Sequence, residues 1–370
     1  MKILNIVSSN IVQDPRILKQ METIKTITNT HLMVGMNNNN VTEERLKNIN
    51  FNFKLLGDKQ DTTSILSKLS KRIKFAKGVI RQIKRYKPDV IHANDFDVLL
   101  MVYFSGYKNA KIVFDAHEIY AKNAFINKYR VISKIVELIE KHIINKRVNA
   151  VVTVSHAAKS YYLKKGYKKT PHVITNAPFL DESLTLTKSS EINEVVYQGQ
   201  IVANRGYEEF VKAATIQHEQ PVNYVIRGFG PQEDEIRKLI KVENANVKLA
   251  KPVEVKELVQ KLSESDIGVV LTKPVSINFK YTVSNKIFEC IHAGLPVILS
   301  PVKEHYYLNE KYEFGIVIDK VTPQNIAEAV QTLLNNKILY NKLRCNAIKA
   351  SNELNWQNES EKLKRIYLSN

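Results

Sequence analysis

The stretch Tyr281-Thr-Val-Ser-Asn-Lys-Ile-Phe-Glu-Cys-Ile-His-Ala-Gly-Leu-Pro-Val-Ile-Leu-Ser300 contains a whole helix-to-strand transition. Ser284 or Asn285 can cap a short helix, leaving free backbone N–H groups at its first turn. Gly294 tolerates the left-handed φ that ends a helix, and Pro296 forbids continuation. Val297-Ile-Leu299 then has the apolar run of a buried strand. Lys286 and Glu289 stand three apart and share a face near the helix start. A helix N-terminus beside a cation is an anion site, and a carboxylate one turn further in can accept from a pair of hydroxyls. Phosphate next to diol describes a nucleotide.

On either side the chain repeats strand, loop and helix, the rhythm of a doubly wound parallel sheet. In the first half, strands are expected at Lys2–Val7, Thr30–Gly35, Pro88–His92, Ala110–Asp115, Ala150–Ser155 and His172–Pro178. The second half restarts with Glu194–Gly199, a loop through Arg205-Gly206, and a helix from Tyr207. Val222–Arg227 runs into Gly228-Phe-Gly-Pro231, and Asp266–Leu271 enters the opening stretch. These patterns predict a first domain over 1–180, a linker over 181–193, a second domain over 194–352 and a last helix over 353–370. Ligands of open parallel sheets gather at strand C-termini, which selects His92, Asp95, His117 and Glu118 in the first half. A glycine-containing turn with a cation between strand and helix suits a diphosphate, which selects Gly199, Arg205 and Gly206 in the second.

At 370 residues each half can bury its own core. Two cysteines, Cys290 and Cys345, give neither a disulfide framework nor zinc spacing and fit a reducing compartment. No run approaches the ~20 apolar residues of a spanning helix, and the N-terminus lacks a signal peptide's apolar core, so a cytoplasmic protein is expected. The net charge of +18 predicts an anionic partner. Between Ile65 and Lys87 a helical apolar stripe is backed by nine basic residues and no acid. That face is either a solvated exterior or a dock for anionic headgroups on the inner face of a membrane. A second amphipathic helix is expected over Ala124–Val148, with Ile126, Tyr129, Ile132, Ile135, Val136, Ile139, Ile143 and Ile144 as its apolar positions, many lysines beside them and a structural role. Basic residues spread over helices, with no binding module, argue against nucleic acid.

Asn285-Lys286-Ile-Phe-Glu289 with Ala293-Gly-Leu-Pro-Val297 resembles the donor signature of retaining family-4 glycosyltransferases of GT-B architecture, in the branch that reads N-K-x-x-E. Asp115-Ala-His-Glu118, Val173-Ile-Thr-Asn-Ala-Pro178 and Gly228-x-Gly-Pro231 resemble further segments of that family in the same order. The resemblance implies two Rossmann-like domains facing a cleft, with a C-terminal helix returning to the first domain. It implies a UDP- or GDP-linked sugar donor held by Gly199, Arg205, Gly206, Gly228, Ser284, Asn285, Lys286 and Glu289. Asp14, Arg16, His92, Asp95 and Glu118 fall on the acceptor side, and His117, Arg205 and Lys286 on the chemistry. No metal and no cofactor are implied. The sequence departs from the family at Tyr281, where its first donor glutamate would stand, and at Gln200, where an arginine would. The expected reaction is transfer to a hydroxyl of a lipid-linked or anionic polymer acceptor, as in cell-surface polysaccharide synthesis. A sugar-nucleotide epimerase or an inactive sugar-nucleotide-binding subunit are the alternatives.

Overall fold

The computed structural model describes every residue except 10, 13, 39–40, 58–63, 124–125, 185, 187–190, 217–218, 282 and 370. The expected linker, 181–193, and the expected helix start at Ala124 therefore lie partly outside the described residues. The chain divides into two compact units, residues 1–176 with 359–370, and residues 177–358.

In the first unit seven strands form one parallel sheet. Its order is β3 (Phe53–Leu56), β2 (His31–Met36), β1 (Ile3–Ile6), β4 (Val90–Asn94), β5 (Lys111–Ala116), β6 (Ala150–Thr153) and β7 (His172–Val173). β1 and β4 are buried along their whole length, which is why they read as near-continuous apolar runs. Strand order reverses between β1 and β4, where Ile6 pairs with Ala93. That reversal opens a crevice at the carboxyl ends of the strands.

The second unit repeats the plan with six strands in the order β10 (Val247–Ala250), β9 (Asn223–Arg227), β8 (Glu194–Gln198), β11 (Ile267–Val270), β12 (Val297–Leu299) and β13 (Gly315–Val317). Here the reversal falls between β8 and β11. Alternate residues of β12 feed two cores, Ile298 on one face and Val297 with Leu299 on the other. Ahead of it, the Asn285–His292 helix closes as the sequence anticipates. Gly294 adopts φ 68°, Leu295 N–H bonds the Cys290 carbonyl at 3.0 Å, and Gly294 N–H bonds the Ile291 carbonyl at 3.0 Å. This is a Schellman end, and it aims the chain straight into β12.

The apolar positions expected on the second amphipathic helix divide between core and surface. The Arg130–Arg147 helix turns Ser133, Glu140, Ile143 and Ile144 inward, while Ile132, Ile135 and Ile139 are exposed. Its inward side chains make polar anchors: Ser133 Oγ donates to the Ala121 carbonyl at 2.7 Å, and Tyr167 Oη donates to Glu140 at 2.6 Å. Those bonds leave the apolar stripe outward. The C-terminal helix Trp356–Leu368 sends its last turns into the first unit, where Tyr367 is buried.

Candidate functional site

Two polar constellations lie at the two switch points. In the second unit, β8 ends at Gly199, and its successor loop packs backbone against backbone. A Cβ on Gly228 would meet the Gly199 carbonyl at 1.9 Å, and one on Gly230 would meet the Ile201 carbonyl at 2.3 Å. The G-x-G-P turn therefore needs both glycines for close approach. Above Gly199 lies Lys286: a Cβ there would come within 1.7 Å of Lys286 Cε. Among the described residues Lys286 Nζ has no hydrogen-bond or ion-pair partner. Burial pushes its pKa down, opposed by the charge of Glu289 one turn on, and nearby Arg205 adds to the depression.

Arg205 is held by two neighbours. Its Nη1 donates to Thr272 Oγ1 at 2.7 Å, and its guanidinium lies 4.8 Å from the Phe279 ring centre. Tyr197 Oη donates to the Arg205 carbonyl, and its ring stacks on Tyr207 at 4.2 Å. Thr272 N–H is in turn held by Ser300 Oγ at 2.9 Å. Beside Arg205 and Gly206 a shallow open depression is lined also by Asn204, Glu209, Gln232 and Lys273. Glu209 pairs there with Lys273 at 2.6 Å. Ser284 stands at the N-cap of the 285–292 helix but its side chain makes no capping bond. Asn285 is exposed and Glu289 half-buried. Tyr281 receives a hydrogen bond from Lys303 Nζ at 2.7 Å, and the same ammonium lies 4.1 Å from its ring centre.

In the first unit the centre is Asp115, fully buried at the end of β5. Arg16 grips it with two bonds of 2.9 Å, and Gln20 Nε2 donates at 2.6 Å. His92 Nε2 lies 3.4 Å from the same carboxylate and His117 Nε2 at 3.6 Å. Burial pushes the Asp115 pKa up, but Arg16 and His117 overcome it and hold the carboxyl well below its usual range. Burial likewise opposes charge on His117, yet Asp95 and Asp115 outweigh it and raise its pKa to about 9. His117 Nδ1 lies 3.5 Å from Asp95. Asp95 itself sits at φ 68°, a left-handed conformation that strains a non-glycine residue at the start of a helix. Burial and then the Asp95 charge push Glu118 up to about 7.

Two of the residues expected on the acceptor side lie inside the fold. Arg16 and His92 are enclosed, 4% and 0% exposed. Burial lowers the His92 pKa. His92 Nδ1 lies 2.8 Å from Tyr367 Oη, and its Nε2 faces the Asp115 carboxylate at 3.4 Å. Asp14 caps the Pro15–Ile27 helix, accepting from Arg16 N–H at 3.0 Å and Ile17 N–H at 3.4 Å. His117, Asp95 and Glu118 do come together. Sequence reasoning passed over Asp115, Thr272, Phe279 and Tyr367. The first stands in the quoted D-A-H-E segment two residues before His117, whereas nothing local marks Tyr367, 275 residues from its partner. Among the described residues no group of three or more His, Cys, Asp or Glu side chains is placed to hold a metal ion.

Two family models match: Glycosyltransferase Family 4 over residues 56–178 and Glycosyl transferases group 1 over residues 192–336. No curated protein matches the chain in sequence. Among solved structures, Anabaena Alr3699/HepE in complex with UDP is similar at 14% identity, covering 99% of each chain, with a TM-score of 0.77. Sucrose-phosphate synthase from Thermosynechococcus elongatus gives 17% identity, 99% and 98% coverage and a TM-score of 0.76. The lipopolysaccharide outer core galactosyltransferase WaaB gives 11%, 100% and 99%, and 0.69. Fold and neighbours define the class as GT-B, two Rossmann-like units in one chain. One family model falls within each unit, so the chain carries a family-4 and a group-1 glycosyltransferase domain, which supports a glycosyltransferase of GT-B type.

Proposed function

We propose that this chain transfers a sugar from a UDP-sugar to an acceptor hydroxyl with retention and without a metal ion, and that the second unit's switch point holds the diphosphate. The observation that carries this reading is the pairing of two cations, Lys286 and Arg205, at one switch point. Lys286 lies on the bare face of Gly199, and Arg205 is braced by a hydroxyl and an aromatic ring. Like charges set side by side in a half-buried site call for an anion between them. As the sugar–phosphate bond breaks, charge builds on the diphosphate, and fixed cations stabilise that charge without reorganising. Glu289, one turn inside the helix, is the acceptor for a ribose diol. In the first unit His117, charged and fixed between two carboxylates, orients the attacking hydroxyl or the sugar. The attack comes from the face the diphosphate leaves, guided by it. HepE has been crystallised with UDP and with UDP-glucose, which supports uracil over guanine.

The acceptor fits a lipid-linked or anionic polymer at the inner membrane face, drawn by the acid-free cationic run of the Ile65–Tyr86 helix. WaaB, whose name gives a lipopolysaccharide acceptor, has the same fold and supports this class. Titration with UDP-glucose, UDP and GDP by calorimetry tests the donor half. UDP ligands should bind, and Lys286→Ala or Arg205→Ala should weaken them by about 100-fold, the loss of one charge-assisted contact of about 2–3 kcal/mol. If both variants bind like the wild type, the site assignment fails. Tyr281, tied to Lys303 where a carboxylate would contact the sugar, favours a second reading as a subunit that binds the donor without turnover. Binding with neither transfer nor hydrolysis over a panel of acceptors would select it. Conversion of the sugar in the absence of acceptor would instead select an epimerase.

A further inference from the structure

The Arg130–Arg147 helix is built inside out. Val131, Ile132, Ile135, Leu138 and Ile139 fall on one stripe, at i, i+1, i+4, i+7 and i+8, and are 42–71% exposed. Its inward face sets polar anchors ahead of Ile143 and Ile144: Glu137 pairs with Lys122 at 3.2 Å and Lys165 at 2.9 Å, and Ser133 and Glu140 are buried in hydrogen bonds. The stripe cannot roll into the core without breaking all of these. A second stripe lies on the first turns of the Ile65–Tyr86 helix, where Leu66, Leu69 and Ile73 are exposed while Phe75, Val79 and Ile83 fill the core. The two helices belong to one unit, and both begin at the carboxyl end of its sheet, the end that holds His117. Arg72 of the Ile65–Tyr86 helix hydrogen-bonds Tyr120, in the segment that leads to the Arg130–Arg147 helix, near Asp95 and Asp97.

Around the apolar side chains stand exposed cations, Lys68, Arg72, Lys74 and Lys77 on one helix and Arg130 and Lys134 on the other. Large outward apolar residues within a cationic collar are the composition of a helix that lies in a lipid interface, the apolar stripe suiting acyl chains and the collar suiting anionic headgroups. We propose that these two stripes insert into an anionic phospholipid leaflet. The collar brings the protein to the surface, and the aliphatic side chains then enter the acyl boundary. The same end of the sheet carries His117, so a lipid-borne hydroxyl would be delivered to it. That last step rests on the transferase reading above, whereas the insertion does not.

Cosedimentation with phosphatidylcholine–phosphatidylglycerol vesicles tests this on the full chain. Wild type should bind at low salt and stay largely bound at about 0.5 M salt, where the Debye length shrinks to about 4 Å and adsorption by charge alone is lost. The exposed triple variant Val131→Ser, Ile135→Ser, Leu138→Ser should lose about 100-fold in partitioning at high salt. Lys68→Gln, Lys74→Gln, Lys77→Gln should lose about 100-fold at low salt, with high-salt retention little changed. Wild type that releases at high salt, or a serine variant that binds as wild type does, overturns insertion. So does light scattering that shows a dimer made monomeric by the serine changes with vesicle binding unaltered, since the stripe is then a self-interface. UDP-sugar affinity in solution should be equal in wild type and both variants. Failure of UDP binding with vesicle binding intact overturns the transferase reading and leaves the insertion standing.

Discussion

At the first unit's switch point Arg16 holds both oxygens of a buried carboxylate; at the second unit's, Arg205 holds a threonine hydroxyl and the face of a phenylalanine. The architecture around the two is alike: parallel strands, a reversal of order, a loop, a helix. Their electrostatics are opposite. The first unit brings its own anion, and its charges answer one another around Asp115. The second sets two cations, Lys286 and Arg205, near one another, the pair proposed to hold a diphosphate. One plan thus separates into a part that fixes an imidazole between carboxylates and a part that gathers cations.

Substitution can break this contrast at four depths. The largest effect should follow Arg16→Ala, which strands the Asp115 charge in the core. Breaking a buried pair costs about 3–5 kcal/mol, a fall of about 10 °C in melting temperature for a domain of this size. The protein that remains folded should bind UDP as before; a loss of affinity there would show the two sites to be one. Gly199→Ala should act the other way, leaving the fold nearly intact but driving the Lys286 side chain off its seat, with UDP affinity down at least about tenfold. Calorimetry and a thermal melt on the same sample separate the two.

A smaller effect concerns pH. The His117 pKa is raised from 6.5 to about 9, so its proton stabilises the fold fully below about 6.5, and that contribution disappears as pH rises through about 9. The melting temperature of the wild type should therefore fall between pH 7 and 10 relative to His117→Gln, which has no such proton. A constant difference over that window would remove the ion pairs with Asp95 and Asp115. The smallest change is Tyr367→Phe, which deletes one hydroxyl on His92 and should lower stability by about 1 kcal/mol in a denaturant titration.

Much of the fold is legible in the sequence because parallel strands, buried on both faces, are written as apolar runs such as Ile3–Ile6 and Val297–Leu299. Chain punctuation is equally local, so Gly294 and Pro296 announce the turn into β12. The orientation of the Arg130–Arg147 helix is not local. Periodicity says that an apolar stripe exists but not which way it points, and here Ser133 and Glu140 decide it through partners elsewhere. For the candidate site, residue type and strand-end position bring out Lys286, Arg205 and His117. What surrounds them depends on contacts across long separations, such as Gly199 under Lys286 and Arg16 on Asp115, which no spacing rule contains.

The last turns of the C-terminal helix give the first unit an unusual timetable. Residues 1–176 leave the ribosome long before Glu359, which accepts the Thr175 N–H, and Tyr367, which bonds His92. Until those arrive, a nascent first unit has its sheet but an unfilled slot beside β4 and β7. Domains made first ordinarily fold first. In this chain the earliest domain is completed only when Glu359 and Tyr367 have been made, so the slot beside His92 stays open until a helix that follows the whole second unit arrives.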